Sequence, residues 1–178
     1  DQVKQQIERL AEHWTVVILS GRDLQDVKNM VGIDNLIYAG SHGFDIEGPD
    51  GSYHIEPGKE YLPALEQAEK KKKKKIKNLN GVRLERKLYA IALHYRGAEQ
   101  DAVSKLEKHV DQAVESFSDL RKTAGKKIFE LRPNIDWDKG RALLYLLDAL
   151  SMDESCTVPL YIGDDETDED GFRAISDL

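Results

Sequence analysis

The sequence predicts an α/β protein in two parts: a parallel sheet covered by helices, interrupted by an inserted α+β layer. Two observations carry this reading. At both ends of the chain, helix-type and strand-type patterns alternate with short links, which is the rhythm of a parallel sheet packed by helices. Between Phe44 and Pro133, extended segments instead come in neighbouring pairs beside two helical stretches, which suits an open, largely antiparallel sheet. A chain of 178 residues is long enough for one ordinary domain or for two small ones.

Taken in order, Val3, Ile7, Leu10, Ala11 and Trp14 recur at steps of three and four, the stripe of an amphipathic helix expected to pack from its first residue. Thr15 to Leu19 is a short apolar run of the kind seen in strands buried on both faces. After the turn Ser20-Gly21-Arg22, Asp23 is placed to cap a second helix. Its buried side would be Leu24, Val27, Met30 and Val31, and Gly32 would end it. Leu36 to Ala39 is the next strand, closed by Gly40-Ser41-His42-Gly43.

The insert begins with Ile46 to Ile55, where Gly48-Pro49-Asp50-Gly51 predicts a hairpin turn. Pro57 to Leu79 is charged and helical in pattern. Val82 to Lys87 and Tyr89 to Tyr95 are two β-rich runs. Val103, Leu106, Val110, Ala113, Val114 and Phe117 mark a second amphipathic helix, and Lys127 to Arg132 is a strand ended by Pro133. The expected division is therefore 1–43 and 134–178 for the core, with 44–133 inserted. Past Pro133, Asp136 or Asp138 caps a helix bearing Ala142, Leu143, Leu146, Leu147 and Leu150. Val158 to Ile162 reads as a buried strand running into Gly163-Asp164-Asp165-Glu166-Thr167-Asp168-Glu169-Asp170, with a last helix beginning near Asp168.

Composition narrows the function classes. Lys and Arg number 26 against 33 Asp and Glu, a net charge of −7, which argues against a general nucleic-acid binder. The run Lys70 to Lys75 lies in the first helix of the insert. Glu66 and Glu69 stand four residues before Lys70 and Lys73, a favourable pairing order, so a solvated face is expected, with a phosphate-attracting patch as the alternative. Burying Lys72 along the stripe would be expensive. The single Cys156 excludes an intrachain disulfide and a multi-cysteine zinc site and makes a reducing compartment the default. No stretch approaches the roughly 20 apolar residues of a membrane span, and Asp1-Gln2-Val3-Lys4 lacks a signal-peptide layout. The chain reads as soluble and cytoplasmic, with no membrane partner.

Three features, two at strand ends and one at a helix start, could do chemistry. In an open parallel sheet, ligands bind beyond the carboxyl ends of the strands. Asp164, Asp165 and Asp168 there would suit Mg²⁺, a hard cation that takes oxygen ligands; a plain acidic turn capping the last helix is the alternative. Ser20 followed by Gly21 can donate to a phosphoryl oxygen while the backbone comes close, or can be an ordinary turn. Lys139 sits in the first turn of a helix, where a cation is unfavourable, so it points to an anionic partner or is merely a surface lysine. Together they would place hydroxyl, ammonium and carboxylates around a phosphate. Glu85 and Lys87 share one strand face, as do Glu130 and Arg132. Such carboxylates could accept from sugar hydroxyls or could simply face solvent. His42 and His94 are expected to be satisfied locally, and Trp14 and Trp137 to be packing residues.

This constellation resembles the haloacid dehalogenase-like phosphatases. More specific strings occur in this order: Leu19-Ser20-Gly21-Arg22, Tyr38-Ala39-Gly40-Ser41-His42-Gly43, Leu84-Glu85-Arg86-Lys87, Ala92-Leu93-His94-Tyr95-Arg96, Glu130-Leu131-Arg132-Pro133, Asp138-Lys139-Gly140 and Gly163-Asp164-Asp165-x-Thr167-Asp168-Glu169-Asp170. With them the chain is similar to trehalose-6-phosphate phosphatases along nearly its whole length. The resemblance implies an incomplete haloacid dehalogenase-like core with an inserted α+β cap domain over 44–133. It also implies Mg²⁺-dependent hydrolysis of trehalose 6-phosphate through an aspartyl-phosphate. Ser20 and Lys139 would act at the phosphoryl group, Gly21, Arg22, His42, Glu85, Lys87 and Glu130 would bind substrate, and Asp164, Asp165 and Asp168 would hold the metal. The family's first motif, Asp-x-Asp-Gly-Thr, which carries the nucleophile, is absent. The expectation is thus an internal fragment, inactive alone, of a longer phosphatase or of a synthase–phosphatase fusion. Two alternatives stay open: a related capped sugar-phosphate phosphatase, or a non-catalytic pseudophosphatase domain partnering a trehalose-phosphate synthase.

Overall fold

The structure, a computed structural model, describes residues 2–152 and 157–178; Cys156 and the inference drawn from it lie outside the described residues. The elements are α1 (Gln2–Ala11), β1 (Val17–Leu19), α2 (Leu24–Val31), β2 (Ile37–Gly40), β3 (Asp45–Glu47), β4 (His54–Ile55), α3 (Leu62–Lys77), β5 (Arg83–Lys87), β6 (Ala90–His94), α4 (Gln100–Ser116), β7 (Leu120–Gly125), β8 (Ile128–Pro133), α5 (Lys139–Ala149) and α6 (Glu169–Ser176). They form two compact units, Asp1–Pro57 with Asp136–Leu178, and Gly58–Ile135.

In the first unit the sheet order is β1-β2-β3-β4. β1 and β2 are parallel, with Ile18 opposite Tyr38, whereas β3 and β4 add antiparallel. The hairpin assigned to the insert therefore belongs to this sheet, and the boundary expected at Phe44 falls after Pro57. The one expected at Pro133 lies close to Ile135. β2 is buried throughout, and its alternation sorts the helices onto two faces. Leu36 and Tyr38 pack with Leu24 and Val27 of α2, and Ile37 and Ala39 with Leu146 of α5. Gly32 ends α2 as expected, at φ 62°, its N–H donating to the Lys28 carbonyl.

Three apolar expectations fail in this unit. Ile7 and Ala11 of α1 reach the core, but Val3, Leu10, Trp14 and Met30 are exposed. β1 is half-buried rather than buried on both faces, because among the described residues it is an edge strand paired only to β2. Val158 to Ile162 is not a strand, and Val158, Leu160 and Ile162 are 92%, 86% and 86% exposed. A strand exists only where a neighbour takes its backbone hydrogen bonds and covers its side chains, and among the described residues no strand pairs with this segment.

The second unit is an antiparallel sheet in the order β5-β6-β8-β7. α3 and α4 cover one face, burying Leu65, Ala68, Ile76, Leu106, Val110 and Ala113 against Ile91, Leu93, Phe129 and Leu131. β7 was not anticipated, because it lacks apolar alternation. Its Lys122, on the face shared with Leu131, reaches back to Glu107 and Asp111 of α4 at 2.8 Å each. The lysine run is the solvated face expected of it. Lys70 and Lys73 pair with Glu66 and Glu69 at 3.4 and 2.8 Å, Lys71 lies 4.7 Å over the Phe117 ring, and Lys72 is only half-buried. Among the described residues no helix is long and apolar enough to cross a membrane.

Candidate active site

α5 starts at Lys139 because Asp138, in an extended conformation, accepts the Arg141 N–H at 2.8 Å. Gly140 allows this first turn to lie directly on α6, since a Cβ there would collide with the Asp170 carbonyl. The close approach leaves Lys139 4% exposed, and its Nζ donates to Asp168 Oδ1 at 2.6 Å. The Tyr161 hydroxyl donates to the same oxygen at 2.6 Å, and the N–H groups of Asp164 and Asp165 donate to Oδ2 at 3.1 and 2.9 Å. Burial alone would raise the Asp168 carboxyl, but these donors outweigh it and hold its pKa at about 2. The Tyr161 hydroxyl is pushed up by burial and then by its bond to Asp168.

Asp164 and Asp165 are exposed, and with Asp168 they bring carboxylate oxygens within 4.8 Å of one another. An all-oxygen, anionic donor set of this kind fits Mg²⁺. The predicted ligand cluster is thus brought together, but its members differ. Asp164 and Asp165 are exposed, the Asp165 carboxylate also accepting the Asp168 N–H in a reciprocal capping box, whereas Asp168 is buried and both its oxygens accept hydrogen bonds.

Ser20 follows β1 and is held by its neighbours. Its N–H donates to Ala39 and its carbonyl accepts from the His42 N–H, at 2.9 and 2.8 Å, and the Ser41 N–H donates to the Arg22 carbonyl at 2.6 Å. The Ser20 Oγ accepts the Arg22 N–H at 3.2 Å. These bonds zip the Ser20–Arg22 turn to the Ser41–Gly43 turn. Ser41 and His42 take positive φ values of 51° and 60°, uncommon for residues with a side chain. A Cβ at Gly21 would lie 2.7 Å from His42 Nε2, so only glycine lets this ring cover the turn. Asp23 begins α2 without capping it through its side chain; Oδ1 instead accepts from Ser41 Oγ at 2.9 Å. Gly43 touches Ala142 of α5 so closely that a Cβ would not fit. The Ser41–Gly43 turn therefore links the Ser20 turn to the helix that carries Lys139.

Glu85, Lys87 and Glu130 lie in the second unit. The register sets Glu85 opposite Ala92, and Ala92 opposite Glu130, so both carboxylates flank one small residue on the sheet face away from α3 and α4. Glu130 Oε1 accepts from Lys87 Nζ at 3.2 Å and Oε2 from Arg132 Nε at 2.9 Å. Burial raises the Glu130 carboxyl, but Arg132 and Lys87 overcome this and hold it below the usual carboxylate range. Glu85 Oε2 takes Arg83 Nη2 at 3.0 Å and His94 Nε2 at 2.9 Å. Sequence reasoning missed Tyr161, for which the only signal was a polar-tipped aromatic in an apolar run next to an acidic turn.

Three solved structures share this architecture. A trehalose-6-phosphate phosphatase related protein superposes with a TM-score of 0.79 over 98% of this chain and 72% of its own, at 22% identity. The C-terminal domain of Candida albicans trehalose-6-phosphate phosphatase gives 0.76 over 99% and 66%, at 24% identity. The same mixed α/β fold is that of a haloacid dehalogenase-like hydrolase from Bacteroides thetaiotaomicron, which superposes with a TM-score of 0.67 over 96% of this chain and 77% of its own, at 13% identity. The trehalose-phosphatase family profile matches residues 1–178, and the trehalose-phosphate phosphatase of Mycobacterium marinum is 43% identical over 171 residues, 95% of this chain. The chain belongs to the trehalose-phosphatase family. It spans 44% of the length of that relative.

Proposed function

We propose that this chain forms the greater part of a Mg²⁺-dependent phosphatase domain that hydrolyses trehalose 6-phosphate to trehalose and phosphate. The observation that carries the reading is the buried Lys139 beside the Asp164–Asp165 turn, on a helix packed against the turn that holds Ser20. The Ser20 hydroxyl and the Gly21 N–H donate to phosphoryl oxygens, the Arg22 guanidinium adds local positive charge, and the Lys139 ammonium offsets the charge that develops on them. His42 borders the Ser20 turn over Gly21. The carboxylates of the Asp164–Asp165–Asp168 turn would hold Mg²⁺, which when bound neutralises phosphoryl charge. In the second unit Glu85 and Glu130 accept from sugar hydroxyls, and Lys87 donates to the sugar or steers the phosphate.

Family resemblance assigns attack on phosphorus to an aspartate of an Asp-x-Asp-Gly-Thr strand, a string these 178 residues do not contain. The edge of β1 that no described strand pairs with and the exposed Val158, Leu160 and Ile162 are surfaces that such a strand would bury. The 178 residues alone therefore do not hydrolyse the ester, whereas the full-length protein does. Phosphate release with Mg²⁺ tests this on trehalose 6-phosphate beside mannose and sucrose phosphates. Turnover by the isolated chain at the full-length rate would sink the first half. Equal preference for another sugar phosphate, or intact turnover in Glu85→Ala and Glu130→Ala, would sink the second.

A further inference from the structure

Next to the acidic turn lies a half-buried polar group that the proposed reaction leaves unused, the Tyr161 hydroxyl. Two donors converge on Asp168 Oδ1, Lys139 Nζ and Tyr161 Oη, each at 2.6 Å. The other oxygen is committed to the N–H groups of Asp164 and Asp165. Asp168 is 5% exposed, so water does not substitute for any of the four.

We propose that Tyr161 is a positioning residue for Lys139, acting through Asp168; the proposal rests on the reading of Lys139 as a phosphoryl-binding group. The phenol is itself fixed from outside the acidic turn. Its ring meets Phe172 of α6 edge-on, with centroids 5.2 Å apart and planes at 85°. It also lies over Gly171, where a Cβ would come 2.5 Å from Tyr161 Cζ. Gly163 does the same for the carboxylate, since a Cβ there would strike Asp168 Cγ. The face of α6 thus sets the phenol, the phenol sets the plane of the Asp168 carboxylate, and the carboxylate sets one N–H of Lys139. The remaining two N–H groups of the ammonium are then aimed without depending on a long flexible stem. Without the hydroxyl, Oδ1 keeps only Lys139. The terminal torsion of an Asp side chain is broad, so carboxylate and ammonium can then swing together.

The test uses the full-length protein with Mg²⁺. Tyr161→Phe removes one oxygen and keeps the ring contacts; kcat for trehalose 6-phosphate falls roughly tenfold, the scale of a lost outer-shell partner. Phe172→Leu keeps the hydroxyl and the seat of the ring on Gly171 but loses the edge-on contact; it lowers the thermal midpoint and costs less kcat than Tyr161→Phe. Lys139→Ala lowers kcat by roughly a hundredfold or more, and adding Tyr161→Phe to it costs less than about twofold further. A readout independent of turnover is the ¹⁵N–¹H resonance of the Lys139 ammonium in metal-free protein, which should be protected in the parent and lost to exchange in Tyr161→Phe. If Lys139→Ala turns over normally, the reading of Lys139 is wrong whatever Tyr161 does. If Lys139→Ala is crippled, the positioning role is overturned by any of three results: Tyr161→Phe at the parent kcat with its Lys139 resonance intact, the same Tyr161→Phe loss in both Lys139 backgrounds, or Phe172→Leu matching the kcat loss of Tyr161→Phe.

Discussion

Replacing Asp168 with alanine would strand the Lys139 ammonium in a site where it is 4% exposed. Removing one partner of a buried ion pair typically costs about 3–5 kcal/mol, because the remaining charge is left without compensation. A second route to the magnitude uses the carboxyl itself. A folded-state pKa of about 2 against an ordinary aspartate value corresponds to roughly 2 kcal/mol of net stabilisation at neutral pH. The expected loss for Asp168→Ala therefore lies between about 2 and 5 kcal/mol. Lys139→Met should cost less, about 1–3 kcal/mol, since Asp168 keeps the Tyr161 hydroxyl and two backbone donors. The double variant should be less unstable than the sum of the two single ones, as expected of residues in direct contact. Urea unfolding of the full-length protein at pH 7, followed by fluorescence, measures all three; Trp137 is the nearest reporter, its ring 5.9 Å from Tyr145 of α5. A loss below about 1 kcal/mol for Asp168→Ala, or strict additivity in the double variant, would refute the buried hub.

The pH dependence follows with a definite sign. Asp168 and Glu130 both have depressed folded-state pKa values, so the stability they contribute is complete above the ordinary carboxylate range and is lost as pH falls through the folded values, near 2 for Asp168. An acid-unfolding curve that the double replacement Lys139→Met with Asp168→Leu fails to flatten would contradict this. Gly171→Ala sets a methyl 2.5 Å from Tyr161 Cζ and should cost about 1–3 kcal/mol by overpacking, read as a lower thermal midpoint; an unchanged midpoint would show that the ring yields freely. Mg²⁺ should raise the thermal midpoint of the parent and leave that of Asp164→Asn with Asp165→Asn unmoved; a metal-insensitive parent would remove the metal assignment. Glu130→Gln should raise KM for trehalose 6-phosphate by roughly tenfold with a smaller change in kcat, and an unaltered KM would take Glu130 out of sugar binding.

By itself the sequence determined what depends on periodicity and local backbone chemistry. α3, α4 and α5 follow from their apolar stripes and β5 and β6 from their residue types. The end of α2 follows from Gly32, and the shared face of Glu85 and Lys87 from strand alternation. The candidate residues could be singled out for the same reason, since Ser20, Lys139 and the Asp164–Asp165–Asp168 turn stand at element ends whatever surrounds them. Tertiary structure alone decided what depends on a partner distant in the chain. The hairpin Asp45 to Ile55 joined the first sheet because β2 offered it a free edge. Val158, Leu160 and Ile162 stayed exposed because apolar character makes a strand only where a neighbour accepts its hydrogen bonds. β7 became a strand despite its polar composition because β8 paired with it and α4 supplied carboxylates for Lys122. The division of labour among the three aspartates also came from packing. Their spacing makes them look equivalent, and it is the packing of Lys139 and the Tyr161 hydroxyl on Asp168 that sets this buried carboxylate apart from the exposed Asp164 and Asp165.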